Sequence, residues 1–321
     1  MRTKIASGRG SVELAPERSA QPVRECSDGA GQRGDSLTKE EALGSVAQTE
    51  RHDGERFLGG PLVTLTTDYG QNDHLVGSVK GVLLKINPEI RIVDICHSVM
   101  PFDLLDGALT IGQAYRWYPP RTVHLVVVDP GVGTQRRPLL VAADTHYFVA
   151  PDNGVLSMIY EREERLSVRH VTAEHYYLQP ISNTFHGRDI FAPVAAWMTK
   201  SWQAPSFGEE ITDFVRFSLP KSKKEGGTVK GVVLKVDHFG NLITNISADD
   251  APQLLTGQAA FKVTAGGKEI SKLAPSYSQG AQGEPVVVIG SSGNLEICIN
   301  KGNAARTLSV QRGAEVTLHL G

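Results

Sequence analysis

Cysteine is scarce in this chain: Cys26, Cys96 and Cys298 are the only three in 321 residues, and they lie far apart. Such spacing builds neither a disulfide framework nor a zinc-ligand pattern, and it fits a reducing, cytoplasmic setting. No apolar run approaches the ~20 residues needed to span a bilayer, and the N-terminus lacks the apolar core of a secretory signal. Neither sign of charge dominates, with 33 basic and 35 acidic residues and a net charge of −2. Without a basic block, nucleic acid is not expected as a partner, and neither is a membrane. Several familiar catalytic patterns are also missing. There is no G-x-x-x-x-G-K-[ST] and no G-x-G-x-x-G opening a helix after a strand, so neither a nucleotide-phosphate loop nor a dinucleotide fold is supported. No G-x-S-x-G elbow and no H-E-x-x-H occurs. A metal site is not expected.

Residues 1–58 mix charges of both signs with Ser, Gly, Gln and Pro, and Phe57 is their one aromatic residue. Such a segment buries too little apolar surface to offset its ordering entropy, so a disordered extension is expected there. From Pro61 the texture changes. "LVTLTT", "IRIVDI", "TVHLVVVD" and "LLVAAD" are short β-branched runs whose near-continuous apolarity points to strands covered on both faces. Helical stretches lie between and after them: "HLVGSVKGVLLKI", "DLLDGALTIGQAYRWY", "GVLSMIYERE" and "DIFAPVAAWMTKSW". This alternation predicts an α/β domain over 59–220 with a central parallel or mixed sheet. The stretch "SLPKSKKEGGTVK" marks the boundary, its lysines reading as a solvated loop. Runs such as "GVVLKVD", "PVVVIG" and "AEVTLHL", separated by Gly- and Asn-rich turns, then predict a small C-terminal all-β barrel over 229–321.

Four polar clusters stand at strand ends or helix starts. "TTDYGQND" carries Asp68 and Asp73; two carboxylates there suit a metal, a ribose diol or a cationic amine, while Asp73 also suits a helix cap. "VVVDPGVGTQRR" runs a strand into Asp129, a glycine turn and the adjacent pair Arg136 and Arg137. Its plain alternative is an Asp–Arg pair beside a turn. "NTFHGRDIF" crowds His186, Arg188 and Asp189 at a helix start, the last two suited to an ion pair. "VDHFGNLITNI" sets Asp237, Phe239 and Asn241 where a strand bends, a combination able to hold a purine and a charged group or simply to make a hairpin turn.

Taken in order, "TTDYGQND", "HSVMPFD", "VDPGVGTQRR", "PDNG", "FHGRDIF" and "DHFGN" resemble the S-adenosylmethionine hydroxide adenosyltransferases, hydrolases related to the bacterial fluorinase and chlorinase enzymes. The resemblance covers about residues 61–320. It implies an α/β domain followed by a β-barrel, and a homotrimer whose sites lie between the first domain of one subunit and the second domain of its neighbour. It assigns the hydrolytic triad to Asp129, Arg136 and His186, since the family's arginine lies seven positions after its aspartate. Asp68 matches the ribose-binding position, and Asp73 and Asp237 match groups near the methionine ammonium. Phe102, Phe185 and Phe239 match aromatic walls, Asn241 the adenine contact and Ala304 a backbone contact. Ser291 and Ser292 match a Ser-Arg pair that holds the carboxylate in the halogenases, and Ser292 departs from that arginine. Gly187 stands where the halogenases carry their halide-site serine. The implied reaction is hydrolysis of S-adenosyl-L-methionine to adenosine and L-methionine, with no cofactor. A halogenase and a non-catalytic S-adenosylmethionine or adenosine sensor are the alternatives.

Overall fold

A computed structural model describes residues 60–254 and 260–321. The expected extension over 1–58 lies outside the described residues. The first domain is built on six strands: β1 (Leu62–Thr67), β2 (Arg91–Cys96), β3 (Val123–Val127), β4 (Pro138–Ala143), β5 (His146–Pro151) and β6 (Leu166–His170). They form one sheet in the order β2-β1-β3-β5-β4-β6. The pairs β1–β2, β1–β3 and β3–β5 are parallel, whereas β4 runs antiparallel to β5 and β6. The sheet is therefore mixed, as the strand–helix alternation and the short β4–β5 turn require.

Helices α1 (Leu75–Ile86), α2 (Leu104–Ala114), α3 (Ser157–Arg162) and α4 (Ala192–Ser201) cover the sheet. One core joins α1 and α4 through Val79, Leu83, Phe191 and Val194 to Leu65 and Leu125. A second gathers Ile111, Tyr115, Val126, Leu139, Phe148 and Ile159 on the other face. Every residue of β3 is buried, as its continuous apolar run predicts. β2 differs from the sequence expectation. Its run is almost as apolar, yet it forms the sheet edge and leaves Arg91, Val93 and Asp94 exposed. Periodicity reads apolarity, and only the strand order decides which apolar strand has a neighbour on both sides.

The second domain contains β7 (Lys223–Glu225), β8 (Thr228–Val236), β9 (Leu242–Ser247), β10 (Phe261–Ala265), β11 (Lys268–Ile270), β12 (Pro285–Ile289), β13 (Asn294–Ile299) and β14 (Glu315–Leu320), with α5 (Ala304–Leu308) before the last strand. The order β11-β10-β14-β8-β9-β13-β12 is nearly closed, because Leu273 beyond β11 bridges to Val287 of β12. Lys223 and Lys224, expected in a loop, instead form the exposed strand β7 against β8. The backbone pairing with Lys230 and Val229 keeps them extended while their side chains stay in water. The two domains are fastened together. Ala108 and Leu109 of α2 pack with Leu234 of β8, Lys235 pairs with Asp106 at 2.7 Å, and Arg312 pairs with Asp103. Among the described residues no helix is long and apolar enough to cross a membrane.

Candidate active site

The sheet order contains a reversal. From β1 the chain first adds β2 on one side, then returns to add β3 on the other. In open α/β sheets the carboxyl ends of the strands flanking such a reversal form a natural crevice. Thr67 of β1 pairs with Val127 of β3, so both strands end level. Asp68 and Tyr69 follow one end, and Asp129 follows the other.

The turn after Asp129 brings Arg136 back onto it. Arg136 Nε donates to Asp129 Oδ1 at 2.9 Å and Oδ2 at 2.8 Å, and a terminal nitrogen donates to Oδ2 at 2.5 Å. The same terminal nitrogen donates to His186 Nδ1 at 2.8 Å. The Asp129 and Arg136 side chains are only 5% and 8% exposed. The guanidinium also lies 5.1 Å from the centre of the Phe191 ring. Arg137 points elsewhere, with Nε to Asp152 at 2.8 Å and its terminal nitrogens to the Asp213 carboxylate and carbonyl at 2.8 and 2.9 Å. Adjacent arginines thus divide their work: Arg136 serves the strand-end cluster, and Arg137 ties β4 to the segment leading out of the domain.

Two local devices bring His186 to this pair. Gly133 has φ +79°, and a Cβ there would stand 2.3 Å from the Asn183 carbonyl oxygen, so only glycine lets the two loops meet. The chain then enters α4 through a π-turn over Gly187–Phe191, an insertion often found at functional sites. Asp189 pins that turn, accepting from Ser182 N at 2.8 Å and pairing with Arg188 at 2.6 Å. Burial lowers the His186 pKa below the ordinary imidazole value, and the Arg136 charge adds to the shift. The ring is therefore neutral near pH 7. With Nδ1 accepting from Arg136, its proton sits on Nε2.

Asp68 is half-buried, and desolvation raises its carboxyl above the ordinary range, aided by the Asp129 charge and opposed by amide hydrogen bonds. One of those bonds is the 2.9 Å donation from Phe102 N to Asp68 Oδ2. Phe102 is 71% exposed and has φ +66°, left-handed for a bulky residue. Phe185 is buried beside the cluster. Asp73 is exposed and accepts from Leu75 N at 3.0 Å, but it stands one residue ahead of the N-cap His74, so it makes a local turn and not the helix cap its sequence position suggested.

The barrel carries the remaining positions. Asp237 accepts from Phe239 N at 2.9 Å and Asn241 N at 2.8 Å, while Asn241 Nδ2 donates to its second oxygen at 2.8 Å. These contacts make the hairpin turn and leave Phe239 71% exposed at its tip. Ala305 N donates to Gly240 O at 2.9 Å, seating the turn on the start of α5 beside buried Ala304. Ser291 and Ser292 lie exposed in the β12–β13 turn. Asp237 and His238 line a groove of about 1010 Å³ with Met100, Pro101, Asn303 and Arg306. Among the described residues no hydrogen bond or ion pair joins the Asp68–Asp129 cluster to the Asp237–Asn241 turn. The described residues also hold no group of three His, Cys, Asp or Glu able to bind a metal ion. Sequence reading passed over Tyr69, although it sits between Asp68 and a glycine with φ +71° at a strand end. That position was the available signal.

Fold and site together define a two-domain α/β and β-barrel protein with a carboxylate–guanidinium–imidazole cluster at a strand crossover. Residues 63–208 match the SAM hydroxide adenosyltransferase N-terminal domain, and residues 231–317 match the C-terminal domain of the same family. The chain belongs to that family. It is 35% identical over 270 residues to an (R)-S-adenosyl-L-methionine hydrolase of Salinispora tropica, covering 81% of this chain and 98% of the relative. The hydrolase of the same name from Methanocaldococcus jannaschii is 32% identical, covering 80% and 95%. A fluorinase of an Actinoplanes species is 28% identical, covering 81% and 98%. The crystal structure of a conserved protein from Thermotoga maritima superposes with a TM-score of 0.75 at 36% identity, covering 80% of this chain and 99% of that one.

Proposed function

We propose that this protein hydrolyses S-adenosyl-L-methionine to adenosine and L-methionine. The observation that carries this reading is the contact of Asp129, Arg136 and His186 at the β1–β3 crossover, in a chain whose hydrolase relatives match over nearly their whole length. The sulfonium leaves as a neutral thioether, so the leaving group needs no proton. The nucleophile is what requires help. Water attacks C5′ in line, the C5′–S bond breaks, and its electron pair goes to sulfur. Arg136 favours the developing hydroxide. The water proton goes to Asp129, because the Nδ1 lone pair of neutral His186 is already taken by Arg136. His186 fixes the guanidinium plane and offers Nε2–H to the site.

In the same reading Asp68 holds the ribose hydroxyls, Asp73 and Asp237 face the ammonium, and Phe102, Phe185 and Phe239 wall the nucleoside. Asn241 and the Ala304 backbone contact adenine, and Ser291 and Ser292 face the carboxylate. Two clusters without a direct link inside one chain, together with exposed Met100, Phe102 and Phe239, favour a site completed by a second subunit of a homotrimer. The free thiols of Cys96 and Cys298 suit the cytoplasm. No cofactor is required by this chemistry. The test is incubation of purified protein with S-adenosyl-L-methionine, with and without chloride or fluoride, followed by separation of nucleosides. Adenosine and methionine in both arms are expected. A halide-dependent 5′-halo-5′-deoxyadenosine would make it a halogenase, and tight binding without turnover would make it a sensor.

A further inference from the structure

We propose that Tyr69 is a further catalytic residue, its hydroxyl orienting the attacking water from the space that Gly187 leaves open. The inference rests on the hydrolytic reading above and adds a residue to it. Gly187 directly follows His186, and a Cβ on it would stand 2.1 Å from Tyr69 Oη and 3.1 Å from Cζ. The phenol therefore occupies the volume that any side chain at position 187 would take. Its ring is held rigidly, edge-on to Phe185 with centroids 5.9 Å apart and planes at 75°. Tyr69 is half-buried, and its hydroxyl is not sealed in the core, so it stays accessible to a water molecule. Tyr69 contributes a backbone hydrogen bond to Thr67 Oγ1 at 3.3 Å, yet its own hydroxyl has no partner among the described residues. Burial raises its pKa, with the charges of Asp68 and Asp129 adding and Arg136 opposing, so the phenol keeps its proton and lies within electrostatic reach of all three groups.

The hydrogen-bond inventory says what such a hydroxyl supplies. An attacking water needs one lone pair on C5′, an acceptor for the departing proton, and an acceptor for the O–H that stays. Arg136 only donates, His186 Nδ1 is occupied, and three Arg136 contacts already fall on Asp129. The cluster is rich in donors and short of acceptors. Tyr69 Oη accepts the O–H that is retained in the product, and so turns the free lone pair towards carbon. Its own proton is neither lost nor gained. Oxygen bonds to C5′, sulfur takes the electrons of the broken bond, and Asp129 takes the departing proton.

The test uses Tyr69→Phe, Gly187→Ala and the double variant of the full-length protein, assayed for adenosine release with Tm recorded. For Tyr69→Phe the expected result is a roughly tenfold to hundredfold lower kcat, with KM and Tm nearly unchanged. Gly187→Ala forces the hydroxyl aside, so its cost in kcat should be large with Tyr at 69 and much smaller with Phe at 69. Wild-type kcat in Tyr69→Phe would overturn the proposal while leaving the hydrolytic reading intact. So would a kcat loss that tracks Tm, with Gly187→Ala equally harmful in both backgrounds, since that is a packing role. Failure of the wild-type protein to release adenosine and methionine would instead sink the hydrolytic reading and this proposal with it.

Discussion

Arg136→Lys and Arg137→Lys form a matched pair, since both keep the charge and remove the planar fork of donors. At position 136 the fork makes three contacts to Asp129 and one to His186, on side chains almost out of water. A lysine ammonium can pair with Asp129 or reach His186, but it cannot hold both in one plane. Losing one positioned contact to developing charge costs about 2.7–4 kcal/mol of transition-state stabilisation, or roughly a hundredfold to a thousandfold in kcat. KM should move little, because adenine, ribose and ammonium are assigned to other residues. At position 137 the loss falls on folding. Asp152 is 3% exposed and would keep its backbone donor Val215 N at 2.7 Å while losing the Arg137 Nε contact. A buried acceptor left short of a partner costs about 1–3 kcal/mol. At about 2–4 °C per kcal/mol, the Tm falls by several degrees. The Asp213 contact is with an exposed carboxylate and adds little. Adenosine release at saturating substrate, KM and thermal melting read all three quantities. Equal kcat defects in both variants would refute the division of labour. A raised KM with unchanged kcat in Arg136→Lys would make Arg136 a binding residue.

Removing residues 1–58 should leave turnover intact, because the family match begins at residue 63 and the Salinispora tropica relative aligns over 98% of its own length with 81% of this chain; loss of soluble activity on that truncation would refute this. Mixing Asp68→Ala with Asp237→Ala protein should recover part of the activity through hybrid sites, and no recovery after verified subunit exchange would count against a shared site. Acid should weaken the fold through His124 and His146. Both are buried with pKa values lowered by desolvation, so the unfolded chain binds more protons. Their contribution is whole above the ordinary value of 6.5 and is lost as pH falls from there through the lowered folded values. Replacing His124, which stacks on Phe148 at 4.9 Å, by Phe should flatten the fall in Tm between pH 7 and 5. An unchanged pH slope would acquit the histidine.

The alternation of strands and helices, the barrel and the clusters themselves were legible because each is written in a local run. What brings Asp68 to Asp129 was not, since it depends on β1 pairing with β3 across 60 residues of chain. The same holds for β2, whose apolar run conceals an edge, and for β7, where lysines look like a loop until β8 supplies a partner. The choice between Arg136 and Arg137 came from the family spacing, and in the fold the two pair with different carboxylates. The Asp237–Asn241 stretch was ambiguous between a ligand grip and a hairpin turn for a physical reason. The hydrogen bonds of the turn use the very groups that a ligand would contact.

Phe102 holds its left-handed backbone with an amide anchored on Asp68. Such a conformation costs a bulky residue about 1–2 kcal/mol, and the Asp68 acceptor offsets part of that cost. The occupancy of Asp68 and the order of the loop are consequently linked functions. A hydroxyl that engages the carboxylate changes the opening free energy of the Phe102 amide, and by reciprocity the loop's strain enters the affinity for that hydroxyl by the same factor. Amide hydrogen exchange at this one residue therefore reads ligand engagement without any bond of the ligand being broken. It gives a measure of recognition separate from turnover, available even in a variant whose chemistry has been silenced at Arg136.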